Sequence, residues 1–393
     1  MKGFWPNLTL TTSQWSRYAR HLSLEDVGVE GQEKLLAARV LVVGAGGLGS
    51  PALLYLAAAG VGAIGIVDSD KVESSNLQRQ VIFGSEDLGE FKVDAAQNRL
   101  LSLNPDLKIR QHHDRLSSRN AMQILPNYDM IIDGSDNFPT RYLTNDAAVF
   151  LKIPNVFGCV QGFDGQASVF WPSGPAGGPC YRCLFPEPPP AGAVPSCSEA
   201  GVLGVLPGLI GMIQATEAIK LILGKGTSLA GRLLQYDAMA MNFRNIKIRR
   251  NPDCPVCGDN PTITRLIDYE AFCADKKPAS NNPKSKNDKE RFMEQITVEE
   301  IKKRLDAGEK LTIIDVRNPD EHAAGSLPGS ILIPLPELPN RLAELDAHKN
   351  EEIIVHCQKG GRSARACGLL QSSGFSHPVN VTGGYEAWRD LKK

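Results

Sequence analysis

The chain has 393 residues, enough for two domains with separate cores at about 100–200 residues each. Lys and Arg (43) nearly balance Asp and Glu (44), so a net charge of −1 gives no general case for nucleic acid or a membrane surface as partner. The opening MKGFWPNLTLTTSQW lacks the apolar core of a signal peptide, and nine cysteines in so long a chain do not make a disulfide scaffold; a cytoplasmic protein is expected, its thiols being metal ligands, reactive groups or packing.

In chain order, RVLVVGAGG opens with a short unbroken apolar run, as a strand buried on both faces would. Gly44, Gly46 and Gly49 in GAGGLG fit G-x-G-x-x-G between that strand and the helical run SPALLYLAAAGV; glycines there let backbone N–H groups approach a phosphate at a helix N-terminus. AIGIVDSD is a second strand, and Asp68 at its end stands where an acid binds ribose hydroxyls. On these residues alone a nicotinamide-dependent oxidoreductase is the default reading. EFKVDAAQNRLLSL then reads as a helix with Lys92 in its first turn, and YDMIIDGSDN as a buried strand ending at Asp136. Arg17, Arg20, Asn76, Arg79 and Lys92 with a spare carboxylate suit a triphosphate with Mg²⁺ better than a nicotinamide, because phosphate charge needs cationic and metal clamps. The alternation predicts a doubly wound α/β sheet.

After Pro154 the texture changes. NVFGCVQGFDGQASVFW predicts an antiparallel hairpin about Gly162 and Gly165. CYRC (Cys180, Cys183) and CPVC (Cys254, Cys257) are two C-x-x-C pairs that can supply four thiolates to a tetrahedral, structural Zn²⁺. Between them, VPSCSEAGVLG carries Cys197, outside either pair. The apolar stretch Gly201–Leu223 contains Pro207, Gln214, Glu217 and Lys220 and reads as a buried helix, not a membrane span. The Lys-, Asn- and Pro-rich stretch over 273–292 cannot bury a core and reads as a linker.

Beyond it lies a second, smaller α/β domain. Thr297 and Glu300 have capping-box spacing. LTIIDVR and EIIVHC are strands, and Cys357 ends the latter ahead of a glycine loop, Arg362 and a helix, a setting that lowers a thiol pKa. Four residues separate Cys357 from Arg362, one fewer than in cysteine phosphatases, which suits a sulfane sulfur on Cys357 better than a phosphate. Asp315 and Arg317 read as ties between loops, and Cys159, Cys273 and Cys367 as packing or surface groups.

RYARH, GAGGLGS, VDSDKVESSNLQRQ, GSDN and the cysteine pairs resemble the ThiF/MoeB family of ubiquitin-activating-type adenylyltransferases. IIDVRNPDEHAAGSLPGSILIP, the Cys357 loop and VTGGYEAW resemble a rhodanese (sulfurtransferase) domain, Ser326 standing where many members have His. The resemblance implies a Rossmann-like adenylation domain over 12–272, a flexible linker over 273–292 and a rhodanese domain over 293–393. It implies that Gly47, Asp68, Asn76, Arg79, Lys92, Asp136 and Asn137 bind ATP and Mg²⁺, that Arg20 reaches the nucleotide site of a partner in a homodimer, and that the four paired cysteines hold zinc. The substrate implied is a ubiquitin-like (MoaD/ThiS-like) carrier ending in Gly-Gly. Its C-terminal carboxylate attacks the α-phosphate of ATP, and a persulfide on Cys357 then displaces AMP. The sulfur comes from thiosulfate or a cysteine desulfurase. The pairing of the two domains resembles the molybdopterin-synthase adenylyltransferase/sulfurtransferases. Such a mechanism needs a second thiol, for which Cys197 is the candidate; the alternative is a bystander. A nicotinamide oxidoreductase and a catalytically inactive binding scaffold are the competing readings.

Overall fold

The computed structural model describes residues 10–175, 177–189, 201–274 and 294–391. They form two compact units, residues up to 274 in one and from 294 in the other. Cys197 and nearly all of the expected linker lie outside the described residues; Cys273 and Ala274, at its start, close the helix Tyr269–Ala274.

The larger unit is built on eight strands: β1 (Arg39–Val43), β2 (Ala63–Val67), β3 (Lys108–His112), β4 (Met130–Asp133), β5 (Asn155–Gln161), β6 (Asp164–Phe170), β7 (Arg232–Asp237) and β8 (Asn242–Lys247). Their order is β3-β2-β1-β4-β5-β6-β7-β8, parallel from β3 to β5 and antiparallel from β5 to β8. Side chains alternate across a strand, so each apolar run feeds two cores. Val40, Val42, Ile64 and Ile66 face a core with the helices Gly49–Ala59, Lys92–Leu103 and Val205–Leu223; Leu41, Val43, Val67 and Ile131 face another with the helix Phe138–Leu151. That two-sided burial explains why these strands read as continuous hydrophobic runs.

The expected hairpin is β5–β6, pairing Gln161 with Asp164 around Gly162, whose φ is +58°. Gly165 lies inside β6 opposite Val160, not in the turn. It is glycine because a Cβ there would stand 2.6 Å from Ile210 on the helix Val205–Leu223. That helix is long and apolar enough to cross a membrane, yet it lies on the sheet: Gln214 Nε2 donates to the Asp133 and Val156 carbonyls (2.8 and 3.0 Å), and Glu217 accepts from Leu229 N.

The smaller unit has five parallel strands, β9 (Glu294–Ile296), β10 (Thr312–Asp315), β11 (Ile331–Leu332), β12 (Glu352–His356) and β13 (His377–Val381), in the order β11-β10-β12-β13-β9. Ile314 and Val355 face one core, Ile313 and Ile354 the other. Thr297 caps the helix Val298–Asp306 by accepting from Glu300 N at 3.3 Å.

Candidate functional site

The strand order reverses between β1 and β4, and ligand clefts of open α/β sheets form at the carboxyl ends of such strands. A cleft of about 430 Å³ lies there. The close approach that makes it is glycine's work: a Cβ on Gly49 would sit 1.9 Å from the Gly44 carbonyl oxygen, and one on Gly44, whose φ is +90°, 3.0 Å from that of Gly134. The Gly44–Gly47 turn is thereby pressed between the two strand ends, and Gly44, Gly46 and Gly47 line the cleft.

Asp68, Arg79, Lys92, Asp136 and Asn137 also line it. Asp68 Oδ2 accepts from Ala45 N at 2.8 Å and Oδ1 from Asp70 N at 2.9 Å, which ties the carboxylate to the glycine turn. Burial pushes its carboxyl up, against the pull of Lys92 and these two amides. Lys92 Nζ is nearly covered and lies 2.9 Å from Asp70 Oδ2. Asn137 caps the helix Phe138–Leu151, its Oδ1 accepting from Thr140 N at 3.0 Å, and Asp136 is exposed beside that helix end. Four expected residues are not among those lining the cleft. Arg17 is exposed, its Nη1 donating to the Leu103 carbonyl at 2.9 Å. Gly49 lies behind the turn. Asn76 is buried, and its Oδ1 accepts from Glu73 N at 3.2 Å, bracing the turn before Arg79. Arg20 is exposed on the N-terminal helix Ala19–Leu22.

Sequence reasoning missed Asp70, Gln80, Asp114, Arg115, Ser135 and Thr140, which line the same cleft. Asp70 had a signal: it follows Asp68 by two residues in VDSD. Arg115 had none, since its ion pair with Glu270 (2.7 Å) joins distant segments.

The two C-x-x-C pairs meet. The Sγ atoms of Cys180, Cys183, Cys254 and Cys257 all lie within 4.8 Å of one another, with Cys180–Cys254 at 3.5 Å and Cys183–Cys257 at 3.4 Å. Four ligands at the Zn–S length of about 2.3 Å in a tetrahedron stand roughly 3.8 Å apart, so the cluster fits zinc. Asn251 N donates to Cys183 Sγ at 3.3 Å, and Arg250 braces the Cys257 carbonyl at 2.7 and 2.9 Å. With four thiolates and no position left for water, the site is suited to a structural ion. Purified protein is expected to carry one zinc per chain by elemental analysis, with the four thiols titratable only after chelation; a metal-free protein with all four thiols reactive would contradict this.

Cys357 directly follows β12 and is buried. Its Sγ accepts from Gly360 N at 3.1 Å and from Ser363 Oγ at 3.4 Å, at the start of the helix Gly361–Ser372. The VTGGYEAW segment shapes this loop from behind. Tyr385 N donates to the Cys357 carbonyl at 2.8 Å and Glu386 N to that of Gln358 at 3.1 Å; a Cβ on Gly384 would stand 2.3 Å from the Cys357 carbonyl oxygen. Arg362 makes no direct bond to the sulfur, although attraction to Cys357 adds to the larger pull of Glu321 in raising its pKa. Its guanidinium is held by both oxygens of Glu321, at 2.6 and 2.7 Å, because a carboxylate at the right height satisfies the two-pronged fork better than a single sulfur can. Asp315 and Arg317 form the expected tie: Arg317 also donates to the Gly325 carbonyl (2.6 Å) and to Gln358 Oε1 (3.1 Å). Buried His356 has neither ring nitrogen hydrogen-bonded, and burial pushes it down to about 4. Burial pushes Cys367 up to about 12 and Cys273 up to about 11, which suits packing roles.

Glycine turn, switch-point cleft and four-thiolate cluster define the larger unit as a Rossmann-like, nucleotide-cradling α/β domain, and the strand-end cysteine loop defines the smaller as a thiol-chemistry domain. The ThiF family model matches residues 18–256, and the Rhodanese-like domain model matches 297–391. The chain belongs to the ThiF family and carries a C-terminal rhodanese-like domain. It is 46% identical over 387 residues to the probable adenylyltransferase/sulfurtransferase MoeZ of Mycobacterium tuberculosis, spanning 98% of this chain and 95% of that protein. It is 58% identical over 265 residues to a sulfur carrier protein adenylyltransferase of Thermus thermophilus, spanning 67% of this chain and 98% of that one. Among solved structures, E. coli MccB with MccA-N7isoASN shares the fold, at TM-score 0.56 and 21% identity over 64% of this chain and 76% of that chain. The oxidoreductase and inactive-scaffold readings gain nothing from these comparisons.

Proposed function

We propose that the chain is a bifunctional adenylyltransferase and sulfurtransferase. It activates the C-terminal glycine of a ubiquitin-like sulfur carrier with ATP and converts it to a thiocarboxylate with sulfur borne by Cys357. One observation carries the reading: a single chain holds both a glycine-walled cleft at a switch point and a cysteine whose sulfur is cradled by its own loop. Relatives that align over nearly the whole chain are named for both activities.

Amides of Gly44, Gly46 and Gly47 would cradle phosphates, and Asp68, oriented by the Ala45 and Asp70 amides, would bind ribose hydroxyls. Gly49 keeps the turn tight, and Asn76 braces the turn that presents Arg79. Arg79 and Lys92 would neutralise charge as the carrier carboxylate attacks the α-phosphorus and pyrophosphate leaves. Asp136 is exposed, and its Oδ1 accepts only a long bond (3.4 Å) from Asn137, which fits a divalent cation. Mg²⁺ there would supply phosphate charge neutralisation. Arg20, exposed and not lining its own cleft, would serve that of a second copy in a homodimer.

Adenylation gives the poor acyl donor a good leaving group. The terminal sulfur of the Cys357 persulfide attacks the acyl carbonyl and AMP departs, leaving an acyl disulfide. A second thiol, for which Cys197 stands nominated, attacks Cys357 Sγ and expels the thiocarboxylate; the resulting disulfide is reset by an external thiol. The product would donate sulfur to molybdopterin, thiamine, cysteine or a tRNA base. Incubation with ATP, a sulfur donor (thiosulfate or a desulfurase persulfide) and carriers ending in Gly-Gly is expected to give one carrier the mass gain of oxygen exchanged for sulfur. Absence of both that mass gain and carrier-dependent pyrophosphate exchange, with every such carrier, would refute the reading.

A further inference from the structure

An unpaired guanidinium beside a reactive cysteine attracts anionic donors. In this loop the guanidinium is matched. Arg362 Nη1 and Nη2 donate to Glu321 Oε2 and Oε1 at 2.7 and 2.6 Å, and the side chains are only 32% and 25% exposed, so water screens the pair weakly. Glu321 is fixed independently: its Oε2 accepts from Asn318 N at 3.1 Å at the start of the helix Pro319–Ala323. The loop's other cation, Lys359, is exposed and stands 3.8 Å from Glu386. What touches Cys357 Sγ is neutral, the Gly360 amide and the Ser363 hydroxyl. The loop thus offers oriented dipoles at the sulfur, while the full charge beside it is held mainly by Glu321 and reaches Cys357 only as a weaker attraction.

We infer that Glu321 determines donor specificity in sulfur loading. By holding Arg362 it disfavours a dianionic donor such as thiosulfate and leaves the loop suited to a persulfide, whose reactive end carries at most one negative charge. The inference rests on the sulfurtransferase reading. Both donors react alike: the Cys357 thiolate attacks the outer sulfur and forms a new S–S bond. The donor's own sulfur–sulfur bond breaks, and sulfite or a thiolate leaves with the electron pair. No external oxidant or reductant enters, so the donors differ chiefly in the charge they bring to the loop.

The test follows the gain of one sulfur atom by the full-length protein, by intact mass, with thiosulfate or cysteine persulfide and without ATP or carrier. In Glu321→Gln the ratio of thiosulfate to persulfide kcat/KM is expected to rise about tenfold, mostly through KM, as one unit charge is uncovered. Adding Arg362→Gln is expected to return the ratio to its original value. An unchanged ratio, or a rise that survives loss of Arg362, overturns the inference. A measurement on the unaltered protein guards against misfolding of the variant. Thiosulfate loading should change less than about twofold between about 50 and 500 mM salt, and a steep fall overturns the inference. If no donor loads Cys357 at all, the sulfurtransferase reading fails and takes this inference with it.

Discussion

Cys357→Ala is expected to lower thiocarboxylate formation by on the order of 10³-fold or more, while carrier-dependent ATP–pyrophosphate exchange stays within about twofold. The nucleophile that would displace AMP is gone, and no other described cysteine sits in such a loop: Cys367 is buried within a helix, Cys180, Cys183, Cys254 and Cys257 cluster together, and Cys159 and Cys273 pack against a core of the larger unit. The residual rate is that of free sulfide meeting the acyl-adenylate. Asp136→Asn is expected to do the reverse. Pyrophosphate exchange falls about 10²–10³-fold, the scale on which charge-stabilising groups act, while Cys357 still gains sulfur from its donor. Cys357→Ala delivering thiocarboxylate at full rate from the same donor would show the sulfur step to be misassigned. Parallel loss of both activities in either variant would show that the two chemistries are not divided between the units.

The second large effect concerns stability. Asp146→Ala is expected to destabilise the larger unit by about 3–5 kcal/mol, because it leaves a buried guanidinium without its counter-charge. Asp146 and Arg182 are 0% and 1% exposed and meet through bonds of 2.8 to 3.2 Å. Asn145 Nδ2 and the Tyr269 hydroxyl also donate to the carboxylate, and the guanidinium lies 4.7 and 4.6 Å from the rings of Tyr142 and Phe272. Calorimetry should show the transition of the larger unit falling by roughly 10 °C, with that of the smaller unit unmoved. The double variant Asp146→Leu/Arg182→Met should recover most of the loss, since replacing both partners of a buried pair removes the uncompensated charge. A single variant as stable as the original would mean that water reaches the guanidinium.

Much of this was legible in the sequence wherever one local rule sufficed. Apolar runs with two-sided burial announced β1, β2 and β4, the glycine spacing announced the turn, and two C-x-x-C pairs announced the cluster although 70 residues separate them. Illegible were pairings that only the fold brings about. Asp146–Arg182, Asp70–Lys92 and Glu321–Arg362 join positions that share no periodicity, and a charge in a sequence does not say what will meet it. Arg362 shows the cost: its position beside Cys357 was plain, but its partner, on a different helix, changes what it does. Gly165 shows a milder case, in which a glycine read as a turn is a clearance for a packed helix.

The clasp of Tyr385 and Glu386 amides on the carbonyls of Cys357 and Gln358 has a consequence in time. β12 and the cysteine leave the ribosome before the residues that mould them. β13 and the helix Gly384–Asp390 must follow before the carbonyls are held and the loop takes its shape. Until then the Cys357 and Gln358 carbonyls lack the two amides that hold them in the folded loop.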